Sequence, residues 1–364
     1  MIISKTDEVR RELLAMTHEI AEQEEQNFRI AECIWGRLVV PHDQPDLQKA
    51  ADRIAGILQI PAEKAMPLIV IARRIGIRDE RLPGFLRRME RYLTVYHAEE
   101  LKENPYFSRI RAIRLEEGRF RFENTQFLDG ELFFDKEPVK EGYARVNTLG
   151  IFDGSLSYPG FYEGDRCWMS ITPNEIVTMQ EPIRKASGKV LTLGLGLGYY
   201  AYMVHLKEDV TDVTVVEREK AVIDLFEKTL LPQFDHPEKI HIVQADAFSY
   251  MENLEDGEFD FLFADIWQNP LEGMTDYLHC KFIGNTFNKT QCDYWIEESF
   301  LGHLEQSMAN VLQYEFLGED DGEMTSNPGY AAVKQLLRDT RVETADDVQK
   351  LFKGNFIREL VGRL

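Results

Sequence analysis

Three glycines, Gly194, Gly196 and Gly198, alternate with leucines directly after the apolar run 190–193. A strand that turns tightly into a helix beneath a close-lying ligand needs glycine at such positions. A glycine-rich turn is common, so the acids around it decide more. Glu217 follows a second apolar run, 213–216, where a carboxylate can accept hydrogen bonds from both hydroxyls of a ribose. Asp246, with Ala247 beside it, comes just after a third run, 240–243, where it can meet an adenine amino group. Asp265 stands at the end of a fourth, 259–263. Each acid alone reads as a helix cap or turn residue. Together they mark one crevice at the carboxyl edge of a sheet, with Asp265 placed to orient or deprotonate a nucleophile or to make a further ligand contact.

Those runs alternate with helical segments. Units of this length predict an α/β fold with a doubly wound, Rossmann-like parallel sheet. Thr172-Pro173-Asn174-Glu175 predicts a sharp helix start, with a capping threonine, a first-turn proline and a capping box closed by Glu175. A fifth strand is expected over 292–296 and helix over 298–312. Upstream, residues 1–104 read as a helical domain, with apolar stripes at Val9, Leu13, Met16 and Ile20 and at Leu82, Phe85, Leu86, Met89, Leu93 and Tyr96. The segment 62–75 is apolar nearly all round and reads as the buried helix of that bundle. This part suits packing or dimerisation, so a homodimer is one arrangement it allows. Residues 105–170 read as a small β region: 119–122 alternate with period two, and Asp129-Gly130 between apolar runs signals a hairpin. The expected organisation is thus 1–104 helical, 105–170 β, 171–317 Rossmann-like and 318–364 a helical C-terminal extension.

The glycine spacing separates two nucleotide-binding classes. A dinucleotide fingerprint is G-x-G-x-x-G/A. Here the third glycine comes one position early, and Tyr199 stands where that pattern wants a small residue. The G-x-G-x-G spacing resembles the first motif of class I S-adenosylmethionine (SAM) dependent methyltransferases. Glu217, Asp246 and Asp265 sit where that family places its later motifs. The resemblance covers roughly residues 171 to 300. It implies SAM as cofactor, with Gly194, Gly196 and Gly198 lining its methionine and ribose portion. Glu217 would hold the ribose, and Asp246 with Ala247 would frame the adenine. Trp168, Met169 and Ser170 are placed to cover the methionine end.

Within that superfamily the chain also resembles the polyamine synthases (spermidine synthase-like aminopropyltransferases), which likewise carry a β region before the sheet. It departs from them at Leu197, where they have an acid, and at Asn269, which precedes Pro270 where they have a second acid. A cationic acceptor would lose a charged partner there. Methyl transfer to a small-molecule or protein acceptor therefore ranks first, aminopropyl transfer second, and a non-catalytic SAM-binding or assembly role third. The antiparallel strand pair that usually closes a methyltransferase sheet is not legible after the fifth strand.

Composition bounds the partners. The 364 residues carry 63 acidic against 42 basic side chains, a formal net charge of −21. A nucleic acid would be repelled at long range, and the basic stretch Arg109, Arg111, Arg114, Arg119 and Arg121 reads as a solvated strand face. No run approaches the ~20 apolar residues of a membrane span, and the first eight residues turn polar at once, so neither a membrane anchor nor a signal peptide is expected. Cys33, Cys167, Cys280 and Cys292 are scattered, which suits reduced thiols in a cytoplasmic chain. His279 and Cys280 with Cys292 match no zinc spacing, and no metal is expected. A nucleophile elbow and a P-loop are both missing from the sequence.

Overall fold

The computed structural model describes residues 1–41, 44–111 and 115–364. Five strands form one all-parallel sheet: β1 (Gly188–Leu193), β2 (Val210–Glu217), β3 (Ile240–Gln244), β4 (Phe261–Ala264) and β5 (Gln291–Tyr294), in the order β3-β2-β1-β4-β5. Strands covered on both faces read as unbroken apolar runs. Val190, Leu191, Leu193, Val213 and Val215 are accordingly buried, as are Phe261, Leu262 and Phe263. The chain starts in the middle at β1, works outward to β3, then crosses back to β4 on the other side. At that reversal the loops after β1 and β4 diverge and leave a crevice beyond the carboxyl ends of the strands. Register aligns those ends: Leu193 lies opposite both Val216 and Ala264, and Glu217 opposite Gln244.

A second, antiparallel sheet stands before this crevice, with strands Arg166–Ser170, Leu156–Glu163, Phe120–Phe127 and Leu115–Glu117 in that order. Its apolar side carries Phe120 and Phe161, stacked at 5.4 Å, and Phe122, all buried in the same core as the parallel sheet. The expected period-two alternation is thus a real strand, Phe120–Phe127. The expected hairpin at Asp129-Gly130 is not formed. The chain does turn there, with Gly130 at φ +77°, but the flanks join different sheets. Phe127 pairs with Leu156, whereas Leu132 pairs with Ile151. The segment after Trp35 captures the turn instead, through Val40 N–H to Gly130 O and Leu132 N–H to Leu38 O.

The helix Asp7–Trp35 joins two cores. Its Val9, Leu13 and Met16 belong to the core around the parallel sheet. Its Ile30 and Cys33 pack in a second core with the helices Pro45–Leu58, Ala62–Arg74 and Leu82–Met89. Ala62–Arg74 is the buried helix its composition predicts. The stripe from Leu82 to Tyr96 is not one helix. The helix stops at Met89, and Leu93–His97 is a strand parallel to Leu149–Asp153. Thr94 and Val95 are β-branched, and a ready partner strand outweighs the helical spacing. Beyond β5 the chain is mainly helical, beginning with Glu297–Leu317, and the sheet keeps five strands. Among the described residues no single helix is long and apolar enough to cross a membrane.

The helix after the glycine turn, Tyr199–His205, ends on a fully buried histidine. His205 Nδ1 meets the Tyr202 carbonyl, and Nε2 has no partner among the described residues. Burial holds its pKa below the ordinary value. The unfolded chain takes up this proton near pH ~6.5 and the folded chain resists it, so stability falls as pH drops through that value. Urea unfolding at pH 7.5 and 5.5 should show a larger loss for the natural protein than for His205→Phe. Equal losses would contradict the assignment.

Candidate active site

The turn after β1 is shaped by what lies against it. Gly194 has φ +96°, a conformation L side chains avoid, and a Cβ there would collide with the backbone oxygen of Asp265. Asp265 N–H in turn donates to Leu193 O at 2.9 Å. The loops after β1 and β4 are therefore locked together at the base of the crevice. Gly198 caps the next helix in the left-handed conformation, and a Cβ on it would meet the Phe226 ring. Gly198 is not among the residues that line the cavity.

Four amides of this turn already have acceptors. Gly194 N–H donates to Val216 O at 2.8 Å, Leu195 N–H to Glu217 Oε2 at 3.2 Å, Leu197 N–H to Met169 Sδ at 3.2 Å, and Gly198 N–H to Leu195 O at 2.8 Å. These four amides are thus already taken in the folded chain.

A cavity of about 180 Å³ opens above the turn. Gly194, Gly196, Glu217, Asp246, Ala247 and Asp265 all line it. Glu217 is fixed at both oxygens, by Leu195 N–H and by Glu219 N–H at 2.8 Å, leaving lone pairs for the cavity. Asp246 also caps the helix Ala247–Glu252, accepting Ser249 N–H at 2.9 Å, while it lines the cavity. Phe248 lies beside it, stacked on His279 at 4.5 Å. Tyr199 and Tyr200 are packing residues: both are buried, Tyr200 on Phe263 at 4.2 Å.

The opposite end holds a residue the sequence reading gave another task. Glu175 does not close a capping box. Its amide donates to Thr172 Oγ1 at 3.5 Å, but its side chain turns into the cavity, where Oε2 is buried without a hydrogen-bond partner among the described residues. Burial, and then the charge of Asp265, push its pKa well above the carboxylate range. Burial likewise raises the Asp265 pKa above the ordinary carboxylate range. The signal for Glu175 was present as an acid two residues past a helix-starting proline, but capping explains that pattern equally well. Trp168, Trp267 and Trp295 wall this end with Phe120 and Phe161. Trp267 Nε1 donates to Trp295 O at 3.1 Å and Trp295 Nε1 to Thr178 Oγ1 at 2.9 Å, so these two rings are held in place. Among the described residues Arg218 is the one basic side chain on the lining, against Glu175, Glu217, Glu219, Asp246, Asp265 and Asp276.

Other sequence candidates are occupied elsewhere. Asn269 caps the helix Pro270–Gly284, accepting Leu271 and Glu272 N–H at 3.0 Å. Burial pushes the Cys280 and Cys292 thiols up to about 12. In the basic stretch, Arg109 meets Asp235 at 3.5 Å and Arg119 meets Glu163 at 2.7 Å, while Arg114 lies outside the described residues.

The two inner glycines should respond differently to alanine. At Gly194 the obstacle is backbone, and the loss should be about 3 kcal/mol or more. At Gly196, with φ +48°, the obstacle is the far end of the Met169 side chain, which can move, so roughly 1 kcal/mol is expected. Denaturant titration of both variants tests the ordering.

No family model matches the chain, and no curated protein is similar to it. Solved structures are similar over part of it. Spermidine synthase from Thermotoga maritima is 18% identical, with a TM-score of 0.27, over 46% of this chain and 62% of that one. The PRMT1 enzyme–prozyme complex of Trypanosoma brucei with AdoHcy is 16% identical, with a TM-score of 0.23, over 33% of this chain and 37% of that one. The chain thus spans less than two thirds of either, and its function must be argued from its own residues.

Proposed function

We propose that the cavity binds an S-adenosyl sulfonium donor and that the chain transfers an alkyl group, in first place the methyl of SAM, to an amine. The observation that carries this is the buried, unpartnered Glu175 Oε2 beside Asp265, in a lining with six carboxylates and one arginine. Such a lining favours cations and repels phosphates. The residues fit the donor along its length. Glu217 offers fixed acceptors to a ribose diol. Asp246, Ala247 and Phe248 offer a polar edge and an aromatic face to an adenine. A bound sulfonium would supply an activated carbon and a neutral thioether leaving group.

What remains for the protein is positioning and one proton. An ammonium acceptor must lose a proton before its nitrogen can attack. Asp265, whose pKa burial raises above the ordinary carboxylate range, is placed to take it. Glu175 keeps its proton and presents Oε2 to a second N–H of the acceptor. The three tryptophans give the cation aromatic faces and exclude water. The reading carries with it a cytoplasmic protein acting on a small molecule or a protein side chain.

A second reading is aminopropyl transfer from decarboxylated SAM. The absence of an acid at Asn269 counted against it, but Glu175 supplies a second carboxylate from another element. No basic side chain is described near Glu175 and Asp265 to hold a donor's carboxylate.

Incubation with each donor and a panel of amines, with chromatography of the nucleoside product, separates the readings. S-adenosylhomocysteine marks methyl transfer, and methylthioadenosine marks aminopropyl transfer. The rate should rise with pH, through a limb above the ordinary carboxylate range, as the Glu175–Asp265 pair loses a proton. Asp265→Asn should lower kcat by about 100-fold or more, whereas Glu175→Gln should keep the pH limb and raise the acceptor KM. Ligand binding without either product from any amine would leave a binding or assembly role.

A further inference from the structure

Met169 occupies the glycine turn. Its Sδ accepts Leu197 N–H at 3.2 Å, and it lies so close over Gly196 that a Cβ there would collide with the sulfur. It reaches this place through an irregularity in its strand. The pairing of Arg166–Ser170 with Leu156–Glu163 shifts register between Cys167 and Met169. A bulge re-aims side chains, and so two consecutive residues, Trp168 and Met169, both face the cavity.

The space left is about 180 Å³. Pockets for drug-sized ligands run from ~300 Å³ upward, so the cavity as folded is short of room for a nucleoside with a sulfonium tail. The strand that carries Met169 is at the edge of its sheet, paired on one side only. Exposed arginines clasp this sheet over the cavity at both margins. Arg166 bonds Gln268 and lies 3.3 Å from Glu272 in the segment after β4. Arg119 reaches Glu219, after β2, at 3.7 Å. Exposed ion pairs of this kind hold weakly and open readily.

We propose that Met169 is a placeholder. Its thioether serves as an internal ligand of the glycine turn, which an entering S-adenosyl compound displaces as the edge strand Arg166–Ser170 swings outward. The inference rests on the cofactor reading above. It adds that the folded chain is self-occluded, and that the strand, not the parallel sheet, moves on binding.

The test is binding of S-adenosylhomocysteine to the full chain, Met169→Ala and Arg166→Ala, by calorimetry and by stopped-flow tryptophan fluorescence. For the natural protein the observed rate should level off with ligand concentration at the opening rate of the strand. Met169→Ala should bind at least about tenfold tighter, because the occluded population no longer reduces the apparent affinity, and its rate should rise linearly. Arg166→Ala, changed only at an exposed clasp, should raise the plateau rate and so keeps the idea testable if Met169→Ala folds poorly. Binding that is unchanged or weaker in Met169→Ala, with no plateau in the natural protein, would overturn the placeholder and leave the cofactor reading standing. No binding to any of the three proteins, nor of adenosine or methylthioadenosine, would overturn the cofactor reading and this inference with it.

Discussion

A glycine without a side chain lets the end of β1 lie directly against the backbone of Asp265. The site's arrangement depends on this contact. The Asp265 N–H to Leu193 O bond and the missing Cβ of Gly194 hold the loops after β1 and β4 at one separation. The same turn gives Leu195 N–H to Glu217, so the carboxylate at the end of β2 is fixed from its neighbour strand. Three strand ends are thereby tied into one floor. Rigid strands carry these groups, as precise geometry at a site requires.

On that floor the electrostatics are lopsided. A chain with a net charge of −21 would be expected to spread its acids over the surface. Here two of them, Glu175 and Asp265, are turned into an aromatic enclosure where burial penalises their charge. Burial favours the neutral form of both carboxyls, and a cationic ligand beside them would favour the charged form. Elsewhere other enclosed acids meet cations: Glu305 takes both Lys140 and Arg145, and Glu297 takes Lys281 and Arg358.

Much of this was legible in the residues. Buried parallel strands announce themselves as short apolar runs, and each of the five runs became a strand within a few residues of its expected bounds. Glycines and strand-end acids are legible because so few other tasks demand those residue types at those places. What stayed hidden was decided by neighbours distant in sequence. Asp129-Gly130 turns as expected, but hydrogen bonds from the segment 38–40 and from separate partner strands send its flanks apart. Leu93 and Tyr96 fit a helical stripe until Leu149–Asp153 offers them a strand partner. Glu175 satisfies a capping pattern that its side chain then ignores. Met169 reaches the glycine turn only through a bulge, which leaves no local mark in the sequence.

What the crevice binds decides its function. Calorimetric titration of the purified chain with S-adenosylhomocysteine and, separately, NAD, alongside Glu217→Ala, measures this directly. Micromolar binding of the S-adenosyl compound, weakened about tenfold or more in the variant through loss of a charged hydrogen-bond acceptor, with no binding of NAD, is the predicted result. Binding of NAD alone, or an S-adenosylhomocysteine affinity indifferent to Glu217→Ala, would contradict it.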